Sequence, residues 1–139
     1  EYWIIKFRTM REAYDEFGEL LPDKERITKV GWFLRRTHMD ELPQLINVLR
    51  GEMSFIGPRA EISHLVNKLQ AQVPFYRARL LVKPGITGWA QVNYGYASTV
   101  EETSIKLEYD LFYIKHRSMM LDFVIALRTV GTVVGFRGQ

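Results

Sequence analysis

Cysteine is absent from the 139 residues, which excludes disulfides, thiolate nucleophiles and zinc–thiolate sites. Histidine is scarce, and the three present, His38, His64 and His116, are not at metal-binding spacing. No run of 18 or more apolar residues occurs, so the stretch holds no conventional spanning helix. The nearest approach, residues 118–136, is interrupted by Asp122 and Arg128 and reads as a core helix or one lying at a membrane interface. Charge of one sign is not in strong excess: 19 Lys and Arg against 16 Asp and Glu leave +3. Basic residues interleave with acids and form no aromatic-lined stripe, so a dedicated nucleic-acid binder is disfavoured. Internal repeats and low-complexity tracts are missing. The opening Glu1–Phe7 carries no signal-peptide pattern and reads like the interior of a domain, so we expect the natural N-terminus to lie upstream.

What is present suits one α+β domain. An apolar fraction of 47% supports a modest core, and 25% charged residues is an ordinary globular value. Residues 2–7, aromatic and Ile-rich, predict a strand, and the charged stretch 9–21 predicts a helix ended at Leu21-Pro22-Asp23. Residues 27–36 predict a short helix. Leu42, Leu45, Ile46 and Leu49 recur at helical spacing on one apolar face. Pro43 is tolerated only in a first helical turn, so this helix starts near Met39 or Asp40, and Gly51 is its C-cap. Ser54–Arg59 predicts a tight loop, followed by a helix with Ile62, Leu65, Val66 and Leu69 on one face. Residues 79–84 and 86–93 read as extended pieces about Pro84-Gly85, a small β-hairpin. Ser98 or Thr99 caps a helix to about Lys115, and a last helix takes residues 118–134. The expected fold is α+β: a mostly helical single domain with a small β-hairpin and peripheral amphipathic helices.

Four constellations bear chemistry. Asp40 and Glu41 stand where a helix starts, close to free backbone N–H groups and the positive end of the dipole. Alone they read as a cap. Arg35 and Arg36 one turn upstream, and Arg59 after the same helix, add a second reading: ion pairs, or a phosphate site with a divalent metal. A carboxylate there can attack phosphorus. Gly57-Pro58-Arg59 is either an ordinary turn or one that aims Arg59 rigidly. Alternation in residues 6–10 puts Lys6 and Arg8 on one strand face, solvated or functional. In residues 83–92 the glycines allow close backbone approach, and Thr87 or Gln91 can donate to whatever approaches; a structural turn around Trp89 explains the segment equally well. His38 either lines such a site or sits on the surface. Asp110 and Asp122 within apolar helices predict pairing with an Arg or capping of a turn.

The segments Lys6–Met10, Leu34–Leu45 with its Asp-Glu-Leu-Pro-Gln-Leu run, Asn47–Arg59 ending in Gly-Pro-Arg, and Lys83–Gly88, with Tyr109–Ile114 and Leu121-Asp122, closely resemble the bacterial sugar transferases, the monotopic polyprenyl-phosphate phosphoglycosyl transferases. The resemblance covers nearly the whole chain. It implies transfer of a sugar-1-phosphate from a UDP-sugar to polyprenyl (undecaprenyl) phosphate with release of UMP, on the cytoplasmic face of the bacterial inner membrane, with Mg²⁺ as cofactor. Asp40 would be the nucleophile and touch Mg²⁺. Glu41 would assist as base or hold the acceptor phosphate. Lys6, Arg8, Arg35, Pro58, Arg59 and Gln91 would bind substrate. A membrane-inserted helix would precede Glu1. Ala60 stands where family members often carry proline. Asn93-Tyr94-Gly95-Tyr96 stands where small members carry Asn-Gly-Arg, a pattern closer to the longer, exopolysaccharide-type members. An oligomer is compatible with the sequence. The competing class is a non-enzymatic module binding anionic lipid or nucleic acid.

Overall fold

The computed structural model describes residues 2–94 and 99–134. Seven helices and one two-stranded sheet appear there: α1 (Asp23–Arg26), α2 (Lys29–Arg36), α3 (Gln44–Leu49), β1 (Ser54–Ile56), α4 (Ser63–Leu69), β2 (Gly85–Thr87), α5 (Trp89–Asn93), α6 (Val100–His116) and α7 (Met119–Val134). Two 3₁₀ segments, Met39–Glu41 and Tyr76–Leu81, precede α3 and β2. The α+β class holds, and the helices expected at 27–36, 60–69, 99–115 and 118–134 all form within a few residues. Thr99 builds a full capping box with Glu102: each backbone N–H is taken by the other's side chain, at 3.1 and 3.2 Å. The alternative cap, Ser98, lies outside the described residues, as do Gly95 and Tyr96.

Several expectations need correcting. Residues 2–7 are extended but join no sheet. Their polar backbone goes to α3 and the turn before it: Asn47 Oδ1 accepts from Ile5 N (3.1 Å), Asn47 Nδ2 donates to Trp3 O (2.8 Å), and Phe7 N donates to Asp40 O (3.0 Å). Residues 9–21 form no helix. The stretch lacks an apolar face to bury, and Asp15 folds it back by accepting from Phe17 N and Glu19 N, with Gly18 at φ 79° closing the turn. The hairpin about Pro84-Gly85 is replaced by a parallel pair, with Ser54 opposite Gly85 and Ile56 opposite Thr87. Ser54–Ile56, expected as loop, is the missing strand, and residues 76–81 and 89–93 are helical instead, as the second 3₁₀ segment and α5. The two strands approach so closely at Gly85 that a Cβ there would lie 2.2 Å from Gly57 N, so only glycine fits.

The helix predicted from Met39 to Gly51 comes in two pieces. A 3₁₀ turn at Met39–Glu41 is separated from α3 by Leu42-Pro43, and Gly51 closes α3 at φ 74°. Its burial is inverted. Glu41, Gln44 and Asn47 are buried, while Leu42, Leu45, Ile46 and Leu49 are exposed, Leu49 to 88%. The compact core lies elsewhere, where Val66, Val73, Tyr76 and Leu107 cluster between α4, the second 3₁₀ segment and α6. The α7 helix docks through Ile125, fully buried, and through Tyr113 of α6, whose hydroxyl donates to Asp122 (2.9 Å).

Asn47 is fully buried and also donates to Glu52 Oε2 (2.6 Å). Asn47→Leu keeps the branched outline of the side chain and orphans Ile5 N–H, Trp3 C=O and the Glu52 carboxylate. Each buried unsatisfied group costs about 1–3 kcal/mol, less where water reaches it, so a net loss of about 2–3 kcal/mol is expected, read as a lowered urea midpoint. An unchanged midpoint would contradict this role.

Candidate active site

The Leu42-Pro43 break decides how Asp40 and Glu41 point. Adjacent residues of a helical turn diverge by about 100°. Glu41 therefore turns inward, 6% exposed, while Asp40 stays half-buried. Among the described residues the Asp40 carboxylate meets no hydrogen bond or ion pair, and its main chain is tethered by Phe7 N–H. His38, at φ 56°, sets the start of the turn. A three-residue 3₁₀ turn has no macrodipole of consequence. The helix-end field that the sequence suggested for Asp40 is therefore not supplied by this turn.

Two basic side chains converge on Glu41. Lys6 Nζ donates to Oε1 at 2.8 Å, and Arg59 reaches Oε1 at 2.6 Å through Nη2 and Oε2 at 3.4 Å through Nη1. One carboxylate thus holds two cations, a local excess of one positive charge. Both cations keep about a third of their side chains in solvent, 38% and 34%, so an incoming anion can reach them. Arg59 is aimed from the turn after β1: Pro58 is fully buried and its carbonyl accepts from Gly85 N (2.9 Å).

The remaining candidates divide. Gln91 shares with Glu41, Arg59 and His38 the lining of a cavity of about 990 Å³. Its Nε2 donates to Ile86 O (3.2 Å), and its Oε1 is buried without a partner among the described residues. Asp40 is not among the lining residues. Arg35 turns away, its Nε donating to Thr9 Oγ1 (3.0 Å) and bracing the extended segment that carries Lys6. Arg8 is exposed and makes no hydrogen bond or ion pair among the described residues. Sequence reasoning missed Glu61, Arg79 and Lys106, which line the cavity with Asp110. Arg79 pairs with Asp110 (2.9 Å) and Glu61 (3.2 Å), and Lys106 lies 3.8 Å from Glu61. Asp110 inside an apolar helix was the available signal, and its expected Arg partner is Arg79. Burial pulls Arg79 toward neutrality, but Asp110, Tyr76 and Glu61 more than restore it and hold it a cation. Burial, helped by the nearby guanidiniums and only partly offset by Glu61, lowers Lys106.

Burial pushes the Glu41 carboxyl up, yet the Arg59 charge and the Lys6 hydrogen bond outweigh it, so its pKa lies below the usual carboxylate range. A carboxylate depressed on folding from about 4.3 adds stability above that pH and loses it as pH falls through the lower folded value. The stability gap between the protein and Glu41→Gln, from urea denaturation, should therefore be full at neutral pH and shrink below about pH 4. A gap independent of pH would contradict the ion cluster.

The family model described as bacterial sugar transferase matches residues 1–136. The chain is 43% identical over 136 residues to a UDP-N-acetylgalactosamine-undecaprenyl-phosphate N-acetylgalactosaminephosphotransferase of Aeromonas hydrophila, covering 96% of this chain and 32% of that protein. It is 42% identical over 141 residues to a UDP-glucose:undecaprenyl-phosphate glucose-1-phosphate transferase of Xanthomonas campestris pv. campestris, covering 97% and 29%. Against the sugar transferase EpsL of Bacillus subtilis (strain 168) the identity is 42% over 137 residues, covering 99% and 65%. The chain thus spans about a third of the first two relatives and just under two thirds of the third. By the extent of the family match and these identities, the chain belongs to the bacterial sugar transferase family.

Proposed function

We propose that this chain is the catalytic region of a phosphoglycosyl transferase that moves a sugar-1-phosphate from a UDP-sugar to undecaprenyl phosphate and releases UMP. The observation that carries the reading is the unpartnered Asp40 carboxylate beside a buried Glu41 that holds two partly exposed cations, Lys6 and Arg59. The two cations bind the diphosphate. An Asp40 oxygen attacks the phosphorus that bears the sugar, the bond to the bridging oxygen breaks, and its electron pair leaves with UMP. A phosphate oxygen of the acceptor then attacks the same phosphorus and frees the Asp40 carboxylate. Neither step needs a proton taken from Asp40. Glu41, with its lowered pKa, is a weak base, and we assign it to holding Lys6 and Arg59. A non-enzymatic lipid or nucleic-acid module is the poorer reading, because Lys6 and Arg59 converge on a buried carboxylate and form no basic stripe.

Among the described residues no cluster of three or more His, Asp or Glu could cage a metal ion. Mg²⁺ commonly binds through one or two carboxylates together with substrate phosphates, and Asp40 supplies such a carboxylate. The donor set therefore fits an ion that arrives with the diphosphate. Such an ion would offset phosphate charge.

No helix among the described residues is long and apolar enough to cross a membrane. A membrane-resting face is supported by the stripe Met120, Phe123, Leu127 and Val130 along α7, each at least 58% exposed, and by the outward leucines of α3. Basic Lys115 and Arg117, both exposed, precede the stripe and suit anionic headgroups.

Two outcomes are expected. Asp40→Asn in the full-length protein should lower UMP release from a UDP-sugar by about 10⁴-fold or more, as loss of a covalent nucleophile does; near-normal turnover would defeat the assignment. Phe123→Glu with Leu127→Glu in the present chain should cut its co-flotation with anionic vesicles at least about tenfold without lowering its melting temperature. Undiminished flotation would place the membrane face elsewhere.

A further inference from the structure

We propose that Arg79 is a positioning residue for the reaction, acting through the main chain of Arg59; this rests on the reading of Arg59 as a diphosphate ligand. Arg79 lies in the second 3₁₀ segment and is 4% exposed. Its fork is fully committed. Nε and Nη2 meet Asp110 Oδ2 at 3.1 and 2.9 Å, and Nη1 meets the Tyr76 hydroxyl at 2.9 Å and Glu61 Oε1 at 3.2 Å. Nη2 also donates to Arg59 O at 3.0 Å. Arg59 O is the one main-chain acceptor among these partners, and it belongs to the residue whose side chain grips Glu41.

The 58–59 main chain is therefore clamped from two directions. On one side Gly85 N donates to Pro58 O, continuing the β1–β2 ladder. On the other stands a guanidinium locked onto α6 by Asp110. Arg79 and Lys106 face Glu61 and Asp110, two positive charges against two negative. The cluster thus adds no net charge to compete with Lys6 and Arg59 for an anion. Stability alone is a weak reason for such a pair, since a buried ion pair is often no better than an apolar replacement. Aiming is the role that its geometry serves. A lysine retains the charge at 79 but has one nitrogen, and cannot span Asp110 and Arg59 O as the planar fork does.

The test is a double-mutant cycle on the full-length protein in membranes. It measures kcat/KM for UMP release with whichever of UDP-glucose and UDP-N-acetylgalactosamine turns over faster. Arg79→Lys should lower kcat/KM by roughly 10- to 100-fold, the size expected when a binding group is displaced by about an ångström. In an Arg59→Ala background the same change should add no more than about 2-fold, since the group to be aimed is gone. Equal losses in both backgrounds would reduce Arg79 to general structure, and no loss in either would remove it from the reaction; both overturn the proposal. If Arg79→Lys does not fold, Asp110→Asn replaces it, keeping the shape but not the charge that steers the fork, and its loss should likewise vanish without the Arg59 guanidinium. An unaltered protein that releases no UMP from either sugar nucleotide would overturn the functional reading itself.

Discussion

A carboxylate withdrawn from water stays ionised only if cations follow it, and Glu41 draws both of its cations from distant parts of the chain. Lys6 is 35 residues away and Arg59 is 18. Stripping a buried charge of its partner costs about 3–5 kcal/mol, so the extended N-terminal segment and the turn after β1 are constrained to meet at one point. Much of the local architecture serves that meeting. Asn47 binds the backbone of the first segment, Arg35 braces it through Thr9, and Gly85 lets β2 come close enough to hold the second. Asp40, next in the chain and turned the other way, is left half-buried with an unshared carboxylate.

The same constraint explains why α3 is built inside out. Its inward residues are polar: Asn47 binds backbone, Glu41 before it binds charge, and Gln44 is buried between them. Its leucines are left outside, with the apolar stripe of α7. A protein working in water alone rarely carries so much apolar surface. Against a bilayer the arrangement is consistent: charge chemistry inside, grease outside, and a reaction that joins a water-soluble sugar nucleotide to a lipid phosphate.

Periodicity and capping made α3, α4, α6 and α7 legible in the sequence, because each rests on local spacing or a local hydrogen bond such as the Thr99–Glu102 box. Periodicity found the apolar stripe of α3 but not which way it faces, since spacing does not say where the core lies. The 2–7 strand and the 84–85 hairpin were misread for a related reason. Extended segments show in composition, but their partners are set at long range, and both segments paired with something other than a sequence neighbour. Within the site, the meeting of Lys6, Glu41 and Arg59 agrees with residue types singled out from motifs. Arg35 carries the same chemistry and points elsewhere, and Arg8 is exposed without a partner among the described residues. Arg79 gave no sign beyond a charged residue in an apolar stretch, because its role depends on a carbonyl 20 positions earlier.

The division of labour between Asp40 and Glu41 is most directly tested by incubating the full-length protein with a UDP-sugar in the absence of lipid acceptor and weighing it intact. A covalent sugar-phosphate that maps by peptide sequencing to Asp40, and is discharged when undecaprenyl phosphate is added, is the expected result. An adduct on Glu41 or any other residue, or transfer to the lipid with no adduct at all, would contradict it.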